Sequence, residues 1–235
     1  MMQKVQPIYE GKAKILYTTQ DPDLLIQYFK DDATAFNAAK KGTIREKGIM
    51  NNRIAAKIFE YLAGRGIPTH FERLLSDREM LIKKVTIVPL EVIVRNRAAG
   101  TLCRLLGLAE GTTLACPTLE FCYKNDALGD PLVNEYHIRA LGLATDEEMT
   151  KISAMALSIN GHLQAFFKKL NIELIDFKLE FGRCKGDIIL ADEISPDTCR
   201  LWELGTGEKL DKDRFRRDLG NIEEAYQEVL RRVSA

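Results

Sequence analysis

"LIDFKLEFG", Leu174–Gly182, alternates apolar and charged residues almost from end to end. Alternation with period two is the mark of a β-strand, whose successive side chains point to opposite faces. Folded that way, Ile175, Phe177, Leu179 and Phe181 share one face while Asp176, Lys178 and Glu180 line up on the other. Same-face neighbours on a strand lie only ~7 Å apart. Three formal charges in so short a row make either a solvated outer face or the floor of a polar site. An exposed Lys–Glu ladder contributes little stability, and spacing alone leaves both outcomes open.

The next residues extend the pattern. "RCKGD" (183–187) and "IILADEISPD" (188–197) supply a turn and a second strand, so the segment reads as a hairpin folded about Lys185–Gly186. That fold returns Asp192 to the neighbourhood of Glu180. Two carboxylates from adjacent strands, completed by water and phosphate oxygens, form the partial oxygen shell that magnesium accepts. Lys178 on the same face could hold a transferring phosphoryl group, and Asp176 could orient or deprotonate a nucleophile.

Two other stretches are suited to phosphate. "YEGKAKILY", Tyr9–Tyr17, sets a glycine at a turn and follows it with Lys12 and Lys14. A tight turn leaves backbone N–H groups free beside these cations; an ordinary basic hairpin tip would look the same. "VRNRAAGT", Val94–Thr101, brings Arg95 and Arg97 off an apolar strand immediately before three small residues and a hydroxyl. Guanidinium, hydroxyl and bare backbone together suit a phosphate monoester, although arginines also simply cap strand ends. Arg200, in "SPDTCRLW", lies close enough downstream of Asp192 to serve the same anion. No Walker loop and no G-x-G-x-x-G occurs.

The remaining chain sets limits. Its 235 residues suit one large domain or two intimate lobes. Lysine plus arginine equals aspartate plus glutamate at 34 each, so no net field recruits nucleic acid or an anionic membrane. No run is long and apolar enough to span a bilayer, and the N-terminus has no signal-peptide core. Five cysteines without a C-x-x-C pair and three scattered histidines exclude a patterned zinc site and suggest a reducing, cytoplasmic setting. His70, His137 and His162 each read as structural.

The first ninety residues are mostly strand-like: "KILYTT", "LLIQYFK", "THFERLLS", "EMLIKKVTIV" and "LEVIVRN" are short runs broken by turn residues. One helix interrupts them, from about Lys47 to Ala63, on the spacing of Met50, Ile54, Ile58 and Leu62. Thr145 with Glu148 forms a capping-box signature for a long helix carrying Ile152, Met155, Ile159, Leu163, Phe166 and Leu170. A last helical region is expected from near Asp211, with Gly220 as its weak point. The expected organisation is a strand-rich lobe, residues 1–88, joined near Ile87–Glu91 to a mixed α/β lobe, residues 89–235, as one unit.

Taken together these stretches resemble the SAICAR synthetase family. The resemblance runs along almost the whole chain: "YEGKAK", "DDATAFNA", "ERLLSD", "VPLEVIVRNRAAGT", "KNDALGDPLVNE", "LIDFKLEFG", "ADEISPDTCRLW" and "KLDKDRFRRDLG". Thr101 stands where that family usually has serine, and Glu203 follows Trp202 where an aspartate is usual. The resemblance implies a two-lobed α+β fold related to kinase-like and ATP-grasp nucleotide binders. It implies an ATP- and magnesium-dependent ligase joining L-aspartate to carboxyaminoimidazole ribonucleotide in purine biosynthesis, acting in the cytoplasm as a homodimer. By position, Gly11, Lys12, Ala13 and Lys14 should meet the ATP phosphates, with adenine near Ile87, Val88 and Glu91. Glu180 and Asp192 should bind magnesium, and Lys178 and Asp176 should be catalytic. Arg95, Thr101 and Arg200 should take the 5′-phosphate, with Lys124, Asp126, Asp197 and Arg216 also on the substrate side.

Two rival classes remain at this stage. A kinase-like phosphotransferase would use the same carboxylates, but no H-R-D-x-x-x-x-N with D-F-G occurs. An RNA-binding module on the basic hairpin and "RNR" would need a net positive field and an aromatic stacking platform, neither of which is present.

Overall fold

The computed structural model describes residues 2–35 and 40–235, so residues 36–38 of the "DDATAFNA" stretch lie outside the described residues. The strands are β1 (Pro7–Glu10), β2 (Lys14–Thr18), β3 (Leu24–Phe29), β4 (Asp32–Ala35), β5 (Lys40–Thr43), β6 (Phe71–Ser76) and β7 (Glu79–Lys83). They continue with β8 (Thr86–Ile87), β9 (Leu90–Arg97), β10 (Thr113–Tyr123), β11 (Leu132–Val133), β12 (Ile172–Cys184), β13 (Asp187–Ala191) and β14 (Cys199–Glu203). The helices are α1 (Lys47–Ala63), α2 (Thr101–Leu106), α3 (Glu135–Ala140), α4 (Asp146–Lys169), α5 (Asp213–Arg216) and α6 (Ile222–Val233).

Five strands pair in the order β1–β2–β3–β7–β6, all antiparallel. A second, seven-stranded sheet runs β11–β10–β9–β12–β13, with β8 and β14 also paired to β12. β12 is therefore the hub of the molecule. Its thirteen residues are long enough to serve four partners along their length.

The hairpin after it forms as the turn residues require. Cys184 pairs with Asp187 across a two-residue loop in which Lys185 has φ 51° and Gly186 has φ 91°. Positive φ at both central positions gives the turn whose twist matches a β-hairpin. Glu180 pairs with Ala191, so Asp192 lies one residue beyond, in a left-handed conformation of its own.

The alternation of "LIDFKLEFG" holds with one correction. Leu174 pairs with Leu201, but Asp176 pairs with Arg200, leaving Ile175 as an extra residue in a β-bulge. Phe177, Leu179 and Phe181 enter the main core as expected, joined by Leu174 from before the bulge. Ile175 instead joins a small separate cluster with Ala99 and Trp202. The bulge shifts the phase of alternation by one residue, so Ile175 leaves the face it was expected to share.

The apolar face of β12 and β9 packs on α4 through Ile152, Ile159, Leu163 and Phe167. α4 starts at the expected capping box: Thr145 Oγ1 accepts the Glu148 N–H at 3.2 Å and Glu148 Oε2 accepts the Thr145 N–H at 2.9 Å. Three acids in the first turn and two lysines in the last complement the helix dipole. α1 spans the residues its apolar spacing predicts and packs against β3, β6 and β7. Its far partner is α6, from the end of the chain, so the apolar core is continuous between the two sheets. The last helical region is divided into α5 and α6, with Gly220 at φ 72° and Asn221 at φ 48° between them.

Several strands, β4, β5, β10, β11 and β14 among them, gave no clear signal in sequence. β4 and β5 are short and polar. β10 contains Pro117, which cannot donate to a ladder, and its register with β9 slips between Thr113 and Thr118. "EMLIKKVTIV" is broken into β7 and β8, which belong to different sheets.

Arg183 of β12 grips Glu148 with Nε–Oε1 at 2.5 Å and Nη2–Oε2 at 2.8 Å, fastening the start of α4 to the sheet. The paired guanidinium is the main reason the Glu148 carboxyl falls from 4.5 to about 2. A carboxyl depressed on folding stabilises fully above its unfolded value and loses that contribution as pH falls through its folded value. Glu148→Gln keeps the capping box and removes the charge. Denaturant unfolding should show a loss of about 1–2 kcal/mol at neutral pH. Parent and variant should converge between about pH 4.5 and pH 2, and a pH-independent difference would assign the effect to packing.

Candidate active site

The polar face of β12 carries Asp176, Lys178 and Glu180. On β9, Arg95 and Ile93 sit directly opposite Asp176 and Lys178, and on β14 Arg200 sits opposite Asp176. Opposed residues project from the same side of a sheet, so charges from three adjacent strands converge on one platform. Two cavities open above it, one of about 1090 Å³ and one of about 410 Å³. Lys12, Glu91, Lys178, Asp197, Thr198 and Lys212 line both, so the two spaces meet over Lys178.

The larger cavity has an apolar end and a charged end. Leu16, Leu25, Ile82, Val85, Ile87 and Ala191 supply the apolar wall. Gly11, Lys12, Ala13, Lys14, Lys124, Lys178, Glu180 and Asp192 supply the charged one. Lys178 Nζ lies 2.7 Å from Glu180 Oε1, 3.0 Å from Glu91 Oε1 and 3.7 Å from Asp192 Oδ2. Burial opposes its charge, but those three carboxylates outweigh burial and raise its pKa well above the lysine range. Lys124 Nζ meets the same Glu180 oxygen at 2.8 Å. Lys14 pairs with Asp192 and, at 2.9 Å, with the buried Glu193. Burial works against the Asp192 carboxylate too, and Lys14, Lys178 and Lys124 reverse it, leaving its pKa below the carboxylate range.

These carboxylates can be tested against magnesium. Among the described residues no group of three or more His, Cys, Asp or Glu side chains forms a ready cation cage. Magnesium does not need one, since it keeps several waters and takes one or two carboxylates plus substrate phosphates. Glu180 and Asp192 project from paired strands into the cavity that has the lysines, and that donor set fits.

The smaller cavity gathers guanidiniums among carboxylates. Arg95, Thr101, Asp176, Arg200 and Arg216 line it. One oxygen of Asp176, Oδ2, accepts from Arg95 Nη1 at 2.7 Å and from Arg200 Nη1 at 2.8 Å. Arg95 is also held bidentately by Glu120, at 2.7 and 3.0 Å, and is only 4% exposed. Its guanidinium is therefore largely committed to the wall, whereas Arg200 and Arg216 are more open to the cavity. Gly100 permits this packing: at φ 56° a Cβ would be strained, and it would stand 2.5 Å from Arg200 Nη2.

Most of the residues singled out in sequence converge here. Val88 does not, because its side chain is buried in the core, although its backbone N–H meets Phe181 O at 2.9 Å. Arg97 is diverted to Glu173 at 2.6 Å and lines neither cavity. Lys12 reaches across the cleft mouth to Asp126 at 2.8 Å.

Several participants were not singled out. Lys47 is 1% exposed and pairs with Asp197 at 2.6 Å, and Tyr226 donates to the other oxygen of Asp197 at 2.6 Å. Lys47 falls on the same helical stripe as Met50 and Ile54, and a charge on an apolar stripe was the available signal. His70, read as structural, lies in the wall of the larger cavity with neither ring nitrogen hydrogen-bonded among the described residues. Burial lowers its pKa to about 3, so it is neutral. His137, in a capping box with Asn134, is structural as expected.

A sequence profile of the SAICAR synthetase family matches residues 7–233. A phosphoribosylaminoimidazole-succinocarboxamide synthase of Clostridium kluyveri is 60% identical over 233 residues, 99% of each chain. The crystal structure of the synthase of that name from Ehrlichia chaffeensis superposes with a TM-score of 0.96 at 49% identity, covering 98% of this chain and 99% of that one. A SAICAR synthetase solved in complex with ADP gives 0.94 at 46% identity over 97% of both chains. The fold and the site define a ligase of the α+β SAICAR synthetase type. The chain belongs to the SAICAR synthetase family.

Proposed function

We propose that this chain joins L-aspartate to the carboxylate of 5-amino-1-(5-phosphoribosyl)imidazole-4-carboxylate, using ATP and releasing SAICAR, ADP and phosphate. The observation that carries the reading is the junction of a lysine- and carboxylate-lined cavity with an arginine-lined one over Lys178. Such a junction suits transfer of a phosphoryl group from a nucleotide on one side to a phosphorylated acceptor on the other.

The chemistry explains the need for it. A carboxylate is a poor electrophile, so the γ-phosphoryl group is first transferred to one of its oxygens. The aspartate amine then attacks the carbonyl carbon, an amide C–N bond forms, the C–O bond breaks and inorganic phosphate leaves. Negative charge accumulates on phosphoryl oxygens during the transfer, and cations placed beforehand lower that barrier. Lys12, Lys14 and Lys124 would hold the nucleotide phosphates, while the apolar wall at Leu16, Leu25, Ile82 and Ile87 would take the base. Magnesium, held by Glu180 and Asp192, would neutralise phosphate charge. Arg200, Arg216 and Thr101 would take the ribonucleotide 5′-phosphate, with Arg95 holding Asp176 and the floor. The ADP bound in the related synthetase supports the nucleotide side.

Every cation near Lys178 is paired with a carboxylate here. On nucleotide binding Lys14, Lys124 and Lys178 would turn from these carboxylates to the phosphates, leaving Glu180 and Asp192 as the residues that would hold the cation. Ion pairing in the buried cleft would be conserved through binding. The same proposal includes separate roles for residues 1–88 and 89–235, a cytoplasmic location and a homodimer. Exposed Leu106, Leu132 and Tyr136 are compatible with self-association; a monomer mass at sedimentation equilibrium would remove the dimer.

Lys178→Met should lower kcat more than ~100-fold, comparable to removal of one oxyanion donor, with far smaller changes in each KM. Near-normal kcat with a small loss of stability would return the charge row to a structural role. Glu180→Gln and Asp192→Asn should each fold but need at least about tenfold more magnesium for half-maximal turnover, as each removes one anionic ligand. An unchanged magnesium dependence in both would assign the metal to other groups.

A further inference from the structure

Asp211 is completely buried, forms no salt bridge among the described residues and lines neither cavity. Its two carboxylate oxygens are used separately. Oδ2 accepts the backbone N–H of Leu201 at 2.8 Å, and Oδ1 accepts the backbone N–H of Asp213 at 2.7 Å. Leu201 follows Arg200 on β14, and Asp213 opens α5. One carboxylate therefore splints the strand that carries Arg200 to the start of the helix that carries Arg216.

The second acid continues the chain of contacts. Asp213, 1% exposed, holds Arg200 Nε at 3.0 Å through Oδ2 and Arg216 Nη1 at 2.7 Å through Oδ1. Each of these guanidiniums keeps further N–H donors, and both line the smaller cavity. Lys212, between the two acids, lines both cavities. We propose that Asp211 is a positioning residue for substrate recognition: through the backbone of Leu201 and Asp213 it fixes the separation and aim of Arg200 and Arg216, which read the phosphate of the ribonucleotide. The proposal rests on the assignment of that anion to the smaller cavity.

A merely structural role is the competing account, since a buried carboxylate accepting two N–H groups would stabilise any such turn. The two differ in what a substitution moves. Asp211→Asn keeps shape, but its amide NH2 must face one of the two N–H donors, so one donor loses its acceptor. Burial, with the Asp213 charge adding to it, raises the Asp211 pKa to about 7, so neutralisation alone is tolerable in the fold. Asp213→Asn leaves the Asp211 contacts in place and loosens the guanidiniums directly.

The experiment is steady-state kinetics of the full chain with all three substrates, on Asp211→Asn, Asp213→Asn and Arg200→Ala, beside a denaturant melt of each. A contact to a charged group is worth ~1.5–3 kcal/mol, so the ribonucleotide KM should rise about tenfold or more in all three. The ATP KM should stay within about twofold and kcat should fall much less than the ribonucleotide KM rises. A raised ribonucleotide KM in Arg200→Ala with an unchanged value in Asp211→Asn overturns the positioning role and leaves the anion assignment standing. An unchanged value in Arg200→Ala overturns both. A parallel loss of ribonucleotide affinity, ATP affinity and kcat, tracking stability, assigns Asp211 to the fold alone. Should Asp211→Asn fail to fold, Asp211→Ser, which keeps a hydroxyl able to accept one N–H in a smaller side chain, decides by the same readings.

Discussion

Buried charge has to be paired, and in this molecule one strand organises the pairing. β12 turns its apolar face to α4 and its charged face to the cleft, so stability and chemistry are built on opposite sides of the same thirteen residues. An unpaired buried ion costs several kcal/mol. Asp176 therefore lies between two guanidiniums, and Lys178 among three carboxylates. The neighbours that satisfy them come from β9, β14, β12 itself and the residue after β13, so the charges favour the same strand order around β12 as the backbone hydrogen bonds.

The two ends of that row differ in how firmly they are held. At Asp176 the partners are arginines in fork-like contacts, braced by Glu120 and Asp213, and this end is rigid. At Lys178 and Glu180 the cations are lysines, Lys178 and Lys124, point charges on flexible stems. The charge row thus has an arginine-braced end and a lysine-paired end, and the proposed roles of recognition and transfer fall on these two ends respectively.

Local signals in sequence carried much of this. The period of two in "LIDFKLEFG", the Lys185–Gly186 turn, the Thr145–Glu148 box and the stripe at Met50, Ile54, Ile58 and Leu62 each act within a few residues, and each formed as read except at the Ile175 bulge. What was missed depends on distant partners. Ile175 is displaced because β14 opposes it with one residue too few, a fact held in neither strand alone. Val88 and Arg97 were read from position beside a motif, but burial and Glu173 decide where their side chains go. Lys47, Glu120 and Tyr226 acquire meaning only once Asp197 and Arg95 are beside them. β10 was obscured by Pro117, which the sheet tolerates where the register slips. The assignment of individual ligands came from family resemblance, not from spacing.

The Asp197 contacts have a consequence for how the protein is made. Lys47 enters α1 early, yet its counter-ion lies 150 residues further along, and the tyrosine that completes that counter-ion is later still, on α6. During synthesis the first sheet and α1 can pair locally, but the Lys47 ammonium has no Asp197 until the second half of the chain is made, and the flank of α1 that packs on α6 is covered last. Those early contacts are completed only by residues from the last third of the chain. A product truncated before α6 would keep the cavity-lining residues but leave that flank of α1 bare and Asp197 without Tyr226.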